Sequence, residues 1–348
     1  MTTRVGLVGL GTMGRNHLRV LRELEAVDLV AVSDVSQESV AWATRKYGVA
    51  GYREHAEMFE REKLDAAVIA VSTGAHLEAG RAAFEHRLHV FVEKPIAGSI
   101  DDGRALIDAA KRADRLLAVG HIERFNPAVV ELKRRVAAGE LGRVFQVHAS
   151  RQGPFPARIR DVGVVVDLAT HDLDVISHIV GSPIERLYAE TERRIHTEHE
   201  DLLNALLKFR NGVVGVLQVN WLTPTKIRRL STLGEKGLFV ADYLTQELTY
   251  YKNADIEHQP DALRSLSGVS EGEMIQFPVE RAEPLKVELR SFLDSVENGG
   301  PVEVDGEAGL QALQLALALI ASATERRVIS GQELNPVPAG RPERRDGR

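Results

Sequence analysis

Short, unbroken apolar runs alternate with longer amphipathic segments over the first 120 positions. Residues 4–10, Leu29–Ser33, Ala66–Val71, His89–Val92 and Leu116–Val119 form runs of strand length. Between them, Thr12–Glu25, His76–His86 and Ile100–Ala113 repeat their apolar residues at intervals of three and four, as a helix with one buried face does. Strands that are apolar throughout suit burial on both faces. The β-α-β-α order therefore predicts an α/β unit, a doubly wound parallel sheet with helices on both sides.

The pattern changes after Gly120-His121. A helix is predicted over Pro127–Ala138, a strand over Arg143–Ser150 and a second helix over about Val164–Val180. Strands then dominate. Asn204–Arg210 and Val213–Trp221 flank Asn211-Gly212, a two-residue hairpin signal. Lys226–Leu233, Gly237–Asp242 and Glu247–Tyr251 read as further strands, and helices over Pro284–Glu297 and Glu307–Arg326 follow. This half reads as an α+β domain whose large, mostly antiparallel sheet carries helices on one face and leaves the other open. Leu206, Val214 and Val216 are candidates for that open face. A second copy of the chain is its obvious cover, which predicts a homodimer or homotetramer. The expected boundaries are 1–121 for the first domain, 122–335 for the second, and a disordered Pro-, Gly- and Arg-rich tail at 336–348.

A chain of 348 residues, 44% hydrophobic, has material for two cores. The net charge of −6 and the pI near 6.1 argue against nucleic acid as a partner. No uninterrupted apolar run approaches the ~20 residues that span a bilayer, so no membrane partner is expected. No basic stretch and apolar segment precede the first strand, so no export signal is expected. Cysteine is absent, which removes disulfides, thiolate nucleophiles and Cys-rich zinc sites and is compatible with a cytoplasmic protein.

The first apolar run leads directly into Gly9-Leu10-Gly11-Thr12-Met13-Gly14, a G-x-G-x-x-G loop. The next strand ends on Asp34, about 20 residues past the last glycine, the spacing of a dinucleotide fingerprint. Gly9 allows the tight turn, Gly11 lets backbone N–H groups approach a pyrophosphate, and Gly14 lets the helix pack close to the strand. The helix N-terminus adds partial positive charge. Asp34 can accept both hydroxyls of an adenosine ribose and would repel a 2′-phosphate. Ser36 and Gln37 bring no cation to offset that repulsion, so NAD is expected over NADP. Ligands of such sheets lie beyond the carboxyl ends of the strands, which adds Thr12, Met13, Ser72, Thr73, His76, Glu93 and Lys94 to the residues expected to face the cofactor.

Lys94, fixed before Pro95 at a strand end, can reach a substrate oxygen and stabilise charge developing there. In the second half, Asp167, His171, Asp174 and His178 fall at helical spacing on one face of an otherwise apolar segment. Spacing leaves three readings open: a catalytic pair with His171 as proton acceptor, a metal site, and a solvated stripe. His196 and His199, with Glu198 and Glu200, read as a solvated loop. His121 and Arg124 lie at the domain junction and are candidates to contact substrate. Arg151, Arg158 and Arg160 surround the stiff Gly153-Pro154-Phe155-Pro156 stretch and suit a diphosphate or carboxylate equally as well as surface ion pairs.

The glycine loop, Glu93-Lys94-Pro95 and Asp167-x-x-x-His171, in this order, resemble the glucose–fructose oxidoreductase / inositol dehydrogenase / MocA family over roughly residues 4–330. The resemblance implies a Rossmann domain, then an α/β domain whose open sheet serves oligomerisation, and oxidation or reduction of sugar-like carbons with NAD or NADP. It implies that Lys94 binds the reacting hydroxyl, that Asp167 and His171 bind substrate and exchange the proton, and that no metal is required. A finer likeness lies in Val119–Pro127, Arg151–Asp161 and Asn220-Trp221-Leu222-Thr223-Pro224, which look like the UDP-N-acetylglucosamine 3-dehydrogenases of the family. That implies a UDP-sugar oxidised at C3, with the arginines as diphosphate clamp. The chain departs from many relatives in carrying only Gly163 and three valines before the Asp-x-x-x-His motif.

Overall fold

The computed structural model describes residues 2–25, 27–156, 162–196, 198–254 and 271–334. The chain divides into two compact units. One takes in Met1–Arg135, Ala241–Leu248 and Gln276–Leu313, the other Val136–Val240, Thr249–Ile275 and Gln314–Arg348.

The first unit opens with β1 (Thr3–Val8), α1 (Thr12–Glu23), β2 (Val27–Ser33), α2 (Gln37–Tyr47), β3 (Ala50–Tyr52), α3 (His55–Arg61), β4 (Ala66–Ile69), α4 (His76–Glu85), β5 (His89–Glu93), α5 (Ile100–Ala113) and β6 (Leu117–Gly120). The strands form a parallel sheet of order β3-β2-β1-β4-β5-β6. The order reverses direction between β1 and β4, the switch point at which such sheets open a crevice. All four residues of β4 are buried, as cover on both faces requires. The apolar runs did not reveal α2, β3 and α3. β3 is only three residues long, and α2 is marked by its caps rather than its apolar content. Ser36 Oγ accepts the Ser39 N–H at 3.3 Å, and Gly48 closes the helix at φ +69°.

The chain continues with α6 (Pro127–Ala137), β7 (Val144–Pro154), α7 (Thr170–Val180), β8 (Ile184–Glu192), β9 (Leu202–Phe209), β10 (Val214–Asn220), β11 (Leu222–Gly234), β12 (Gly237–Asp242), β13 (Glu247–Asn253), β14 (Glu271–Phe277), α8 (Pro284–Asn298), α9 (Gly306–Glu325) and β15 (Ile329–Ser330). Leu285, Leu289, Phe292 and Leu293 of α8 join the core of the first unit with Leu7, Leu18, Leu21 and Phe91. Burying four such side chains stabilises by roughly 1.5–3 kcal/mol each before entropic costs.

Among the described residues the second sheet has the order β14-β13-β12-β11-β7-β10-β9-β8-β15. β7 and β10 run parallel, while β11 with β7, β10 with β9, β9 with β8 and β8 with β15 are antiparallel. β9 and β10 form the expected hairpin, but its turn is longer than two residues: Phe209 N–H donates to Val213 O, Gly212 N–H donates to Phe209 O at 2.9 Å, and Gly212 alone of the Asn-Gly pair takes a positive φ, +90°. One face is closed by Leu203, Ala205, Leu207, Leu217 and Val219, all buried. On the other face Leu206 is 54% exposed opposite half-buried Val216, with Val214 beside it, so the open face expected from the pattern is present. β8 escaped the sequence reading because a register shift between Ile184 and Arg186 breaks its alternation.

Two expectations are corrected. β7 runs four residues past its predicted end, so Arg151 to Pro154 lie in the sheet rather than in a loop. α9 is a 20-residue helix long and apolar enough, by length and composition, to cross a membrane, although scattered glycines and glutamines hide it from a count of unbroken runs. Its Leu310, Leu313, Leu315, Ala316 and Leu319 are buried inside the protein. The tail at 336–348 lies outside the described residues.

Candidate active site

The glycine loop after β1 has the geometry its sequence calls for. Gly9 sits at φ +96°, and a Cβ there would fall 2.5 Å from Ala70 O. A Cβ on Gly14 would fall 2.0 Å from Gly9 O, so only glycine lets α1 approach the strand this closely. A Cβ on Gly11 would meet nothing within 4 Å. No side chain caps α1 and its first turn holds no acid. Gly11, Thr12 and Met13 are all exposed, so their N–H groups are open to an anion with the positive end of the helix behind them. Asp34 is pinned at the end of β2: its Oδ2 accepts the Leu10 N–H at 2.6 Å and its Oδ1 accepts the Ser36 N–H at 2.8 Å. Each oxygen keeps a lone pair for a ribose hydroxyl. These residues fit NAD.

Farther along the strand ends, Ser72 is exposed and Thr73 half-buried in the turn Thr73–Ala75. His76 is buried, with Nδ1 2.9 Å from Pro95 O and Nε2 3.2 Å from Val71 O. It ties two strand ends together rather than presenting a ring to a ligand. Burial lowers its pKa, and the carbonyl contacts offset only part of that effect. Lys94 is half-buried and joined to Pro95 by a cis peptide. Glu93 turns inward, with Oε1 2.7 Å from His17 Nε2 and Oε2 accepting the Lys94 N–H at 3.1 Å. Burial raises its pKa, but the His17 hydrogen bond and the neighbouring positive charge outweigh this and hold the carboxyl below its ordinary value. The sequence reading missed His17. A polar residue on the buried face of α1, beside Gly14, Leu18 and Leu21, was the available signal. His121 is buried after β6, and Arg124 donates to Glu303 O at 3.4 Å.

In the second unit the predicted helix Val164–Val180 is two structures. Val165–Ala169 is a π turn, and α7 continues from Thr170. Glu200 fixes its start: its backbone oxygen accepts the Val164 N–H at 2.9 Å and its Oε1 accepts the Val165 N–H at 3.2 Å. A Cβ on Gly163 would lie 2.1 Å from Glu200 Oε1, which explains why glycine survives there ahead of the valines. The π turn carries Asp167, half-buried, and His171 and His178 on α7 are also half-buried. Asp174 is buried, so the expected four-residue stripe is not one exposed face. π turns recur at functional sites because they widen a helix locally and re-aim its side chains. Among the described residues no group of three or more His, Cys, Asp or Glu is arranged to hold a metal ion.

The structure changes the reading of several cations and histidines. Arg151 is 4% exposed and engages Asp172, with Nε–Oδ2 at 2.8 Å and Nη2–Oδ1 at 3.2 Å. It anchors α7 to β7 instead of standing in solvent as a diphosphate clamp. Arg158 and Arg160 lie outside the described residues. His196 is buried, not solvated, and its Nδ1 accepts the N–H groups of Glu198 and His199. It stacks on Trp221 and meets Phe155 edge to face. Asp201, fully buried, accepts the N–H groups of Arg194, Ile195 and His196. Burial raises its pKa, and these N–H bonds more than reverse that.

Residues 3–121 match the family model described as oxidoreductase family, NAD-binding Rossmann fold, and residues 133–330 match its C-terminal alpha/beta domain. The chain belongs to the Gfo/Idh/MocA oxidoreductase family. Its first unit is an NAD-binding Rossmann fold, and the chain is a dehydrogenase acting on CH–OH groups. It is 27% identical over 343 residues to the myo-inositol 2-dehydrogenase of Thermotoga maritima, covering 95% of this chain and 99% of that one. It is 26% identical over 314 residues to the UDP-N-acetylglucosamine 3-dehydrogenase of Acidithiobacillus ferrooxidans, covering 90% and 95%. Among solved structures, the WlbA dehydrogenase of Bordetella pertussis in complex with NADH and UDP-GlcNAcA superposes with a TM-score of 0.81 at 25% identity, covering 94% of this chain and 97% of that one.

Proposed function

We propose that this Gfo/Idh/MocA protein oxidises a secondary alcohol of a sugar, at C3 of a UDP-N-acetylhexosamine, with NAD as the acceptor. Bound NAD supplies the carbon that takes the hydride. His171 takes the hydroxyl proton, Lys94 stabilises the oxygen as negative charge develops on it, and Asp167 orients the pair. Ser72, Thr73 and Glu93 belong to the cofactor side of the site. His121 and Arg124, with Arg158 and Arg160, belong to the substrate side.

The observation that carries this reading is the half-buried pair Asp167 and His171 on a π turn and helix held by Glu200 and by the Arg151–Asp172 pair. Reactive groups need a backbone fixed by other residues. Likeness to the Acidithiobacillus ferrooxidans enzyme and to the Bordetella pertussis complex supports a nucleotide sugar. Likeness to the Thermotoga maritima enzyme over nearly the whole chain favours an inositol as the second reading. Asp34 supports NAD over NADP. The open sheet face supports pairing with a second copy, as homodimer or homotetramer, and the composition fits a cytoplasmic setting.

The test is NADH formation with UDP-N-acetylglucosamine, free hexoses, myo-inositol and scyllo-inositol. The UDP-sugar should give the highest kcat/KM. Lys94→Ala and His171→Ala should each lower kcat by about 10²–10⁴-fold. Near-normal kcat in both folded variants would overturn the assignment of roles, and a preference for an inositol would overturn the substrate class.

A further inference from the structure

His17 is a fully buried histidine on the helix whose N-terminus receives the diphosphate, and its ring meets Phe91 edge to face at 5.5 Å. Its Nε2 lies 2.7 Å from Glu93 Oε1, while its Nδ1 is enclosed with no hydrogen-bond partner among the described residues. An ionised carboxylate only accepts, so the hydrogen-bond network assigns the donated proton to Nε2. The second oxygen, Glu93 Oε2, accepts the backbone N–H of Lys94. The carboxylate packs beside the backbone of Gly120, where the missing side chain leaves it space. A Cβ on Gly120 would stand 3.3 Å from both Glu93 Cδ and Oε2, and 3.2 Å from Phe91 Cζ. A buried carboxylate must be matched by donors. Here one donor comes from α1 and the other from the backbone of the lysine itself. From the opposite side His76 Nδ1 contacts Pro95 O at 2.9 Å. The Lys94-Pro95 segment is therefore gripped at the N–H before the side chain and at the carbonyl after it.

We infer that His17 is a positioning residue for Lys94: its ring N–H, acting through the Glu93 carboxylate, fixes the backbone from which the lysine reaches the reacting oxygen. The inference rests on the role proposed for Lys94 above. It links the phosphate-binding helix to the reactive side chain through one buried carboxylate. His17 itself is enclosed and acts only through Glu93.

Three variants test it: His17→Leu, which removes the donor; His17→Gln, whose amide can still donate to Glu93; and Lys94→Ala. The first readout needs no cofactor: hydrogen exchange at the Lys94 amide, followed by NMR in the cofactor-free chain. Exchange should rise at least about tenfold in His17→Leu and return to within about threefold in His17→Gln, with the Val90–Val92 amides unchanged. The second is NADH formation from UDP-N-acetylglucosamine, with myo-inositol run in parallel. In His17→Leu kcat should fall by about 10–100-fold while KM for NAD stays within about threefold, and His17→Gln should recover most of the loss. Unchanged Lys94 exchange in His17→Leu would overturn the inference, as would equal losses of kcat in the Leu and Gln variants. If Lys94→Ala keeps full turnover, the role of Lys94 fails and the inference with it. If Lys94→Ala is inactive but His17→Leu exchanges and turns over normally, the inference alone fails. Should His17→Leu not fold, His17→Asn, whose shorter amide falls short of Glu93, takes its place with the same expected results.

Discussion

Asp172→Asn tests the bond that seats α7, one residue from the proposed base. The side chains of Arg151 and Asp172 are 5% and 2% exposed and meet in two hydrogen bonds of 2.8 and 3.2 Å. At an effective dielectric near 20, opposite charges about 4 Å apart attract by about 4 kcal/mol. Breaking a buried ion pair by removing one partner costs about 3–5 kcal/mol. The asparagine oxygen can still accept one bond, so about 3 kcal/mol is expected, against a total stability of roughly 5–15 kcal/mol. Urea unfolding measures the loss. Trp221 is buried in the same unit, and the chain's other tryptophan, Trp42, is replaced by Phe to leave a single reporter. With m of about 1–3 kcal/mol/M, the midpoint should fall by about 1 M or more. The double variant Arg151→Met/Asp172→Leu should recover to within about 1 kcal/mol, because apolar side chains of similar volume replace the buried pair. A midpoint shift under about 0.3 M in Asp172→Asn would refute the reasoning.

Three further outcomes are expected. Gly14→Ala puts a methyl 2.0 Å from Gly9 O and should lower both Tm and NADH affinity, whereas Gly11→Ala, which meets nothing within 4 Å, should keep its Tm and still lose about tenfold or more in affinity by fluorescence titration. Asp34→Ser removes the ribose acceptor and the charge facing a 2′-phosphate, so KM for NAD should rise about 10–100-fold and the ratio of NAD to NADP efficiency should fall. Burial lowers the pKa of both His76 and His89, the latter helped by Arg115. The unfolded chain therefore binds these protons more readily. Their stabilisation is complete above the ordinary histidine value of about 6.5 and is lost as pH falls from there through the folded pKa values. Tm scans from pH 7.5 down to 5 should show this decline, with a shallower slope in His89→Asn, and equal slopes would count against it.

Where the physics is local, the sequence was legible. Within the glycine loop, Gly9 takes a positive φ and Gly14 packs against Gly9 O, and the Asn211-Gly212 turn needs a positive φ that Gly212 supplies. Five of the six parallel strands showed because burial on both faces leaves few polar positions in their middles. What stayed hidden depends on contacts between residues far apart in sequence. Arg151 and Asp172 are 21 positions apart, and nothing in either neighbourhood marks them as a pair. His196 looked like part of a polar loop because Glu198, His199 and Glu200 surround it, yet Trp221 and Phe155 enclose it. The π turn also left no trace, since Val164 to Val180 has an apolar spacing that an unbroken α-helix would satisfy.

Five acids near the candidate sites share one arrangement. Asp34 accepts from Leu10 and Ser36, Glu93 from His17 and Lys94, Asp172 from Arg151, Glu200 from Val165, and Asp201 from three successive N–H groups. Four of these sets include backbone donors, so the carboxylates fix the path of the chain, and Asp34 keeps lone pairs for a ribose as well. Four of the five also lie next to a segment with a proposed chemical role: Asp34 beside the glycine loop, Glu93 before Lys94, Asp172 after His171, and Glu200 at the start of the turn that holds Asp167. A buried carboxylate satisfied by N–H groups resists displacement, because moving it exposes an unmatched charge in a medium of low dielectric. Lys94, Asp167 and His171, all half-buried, stand on backbone held in this way. Substituting an anchoring acid should therefore reduce turnover through misplacement, and the loss should shrink with a replacement that keeps the same N–H groups satisfied, such as asparagine at Asp201.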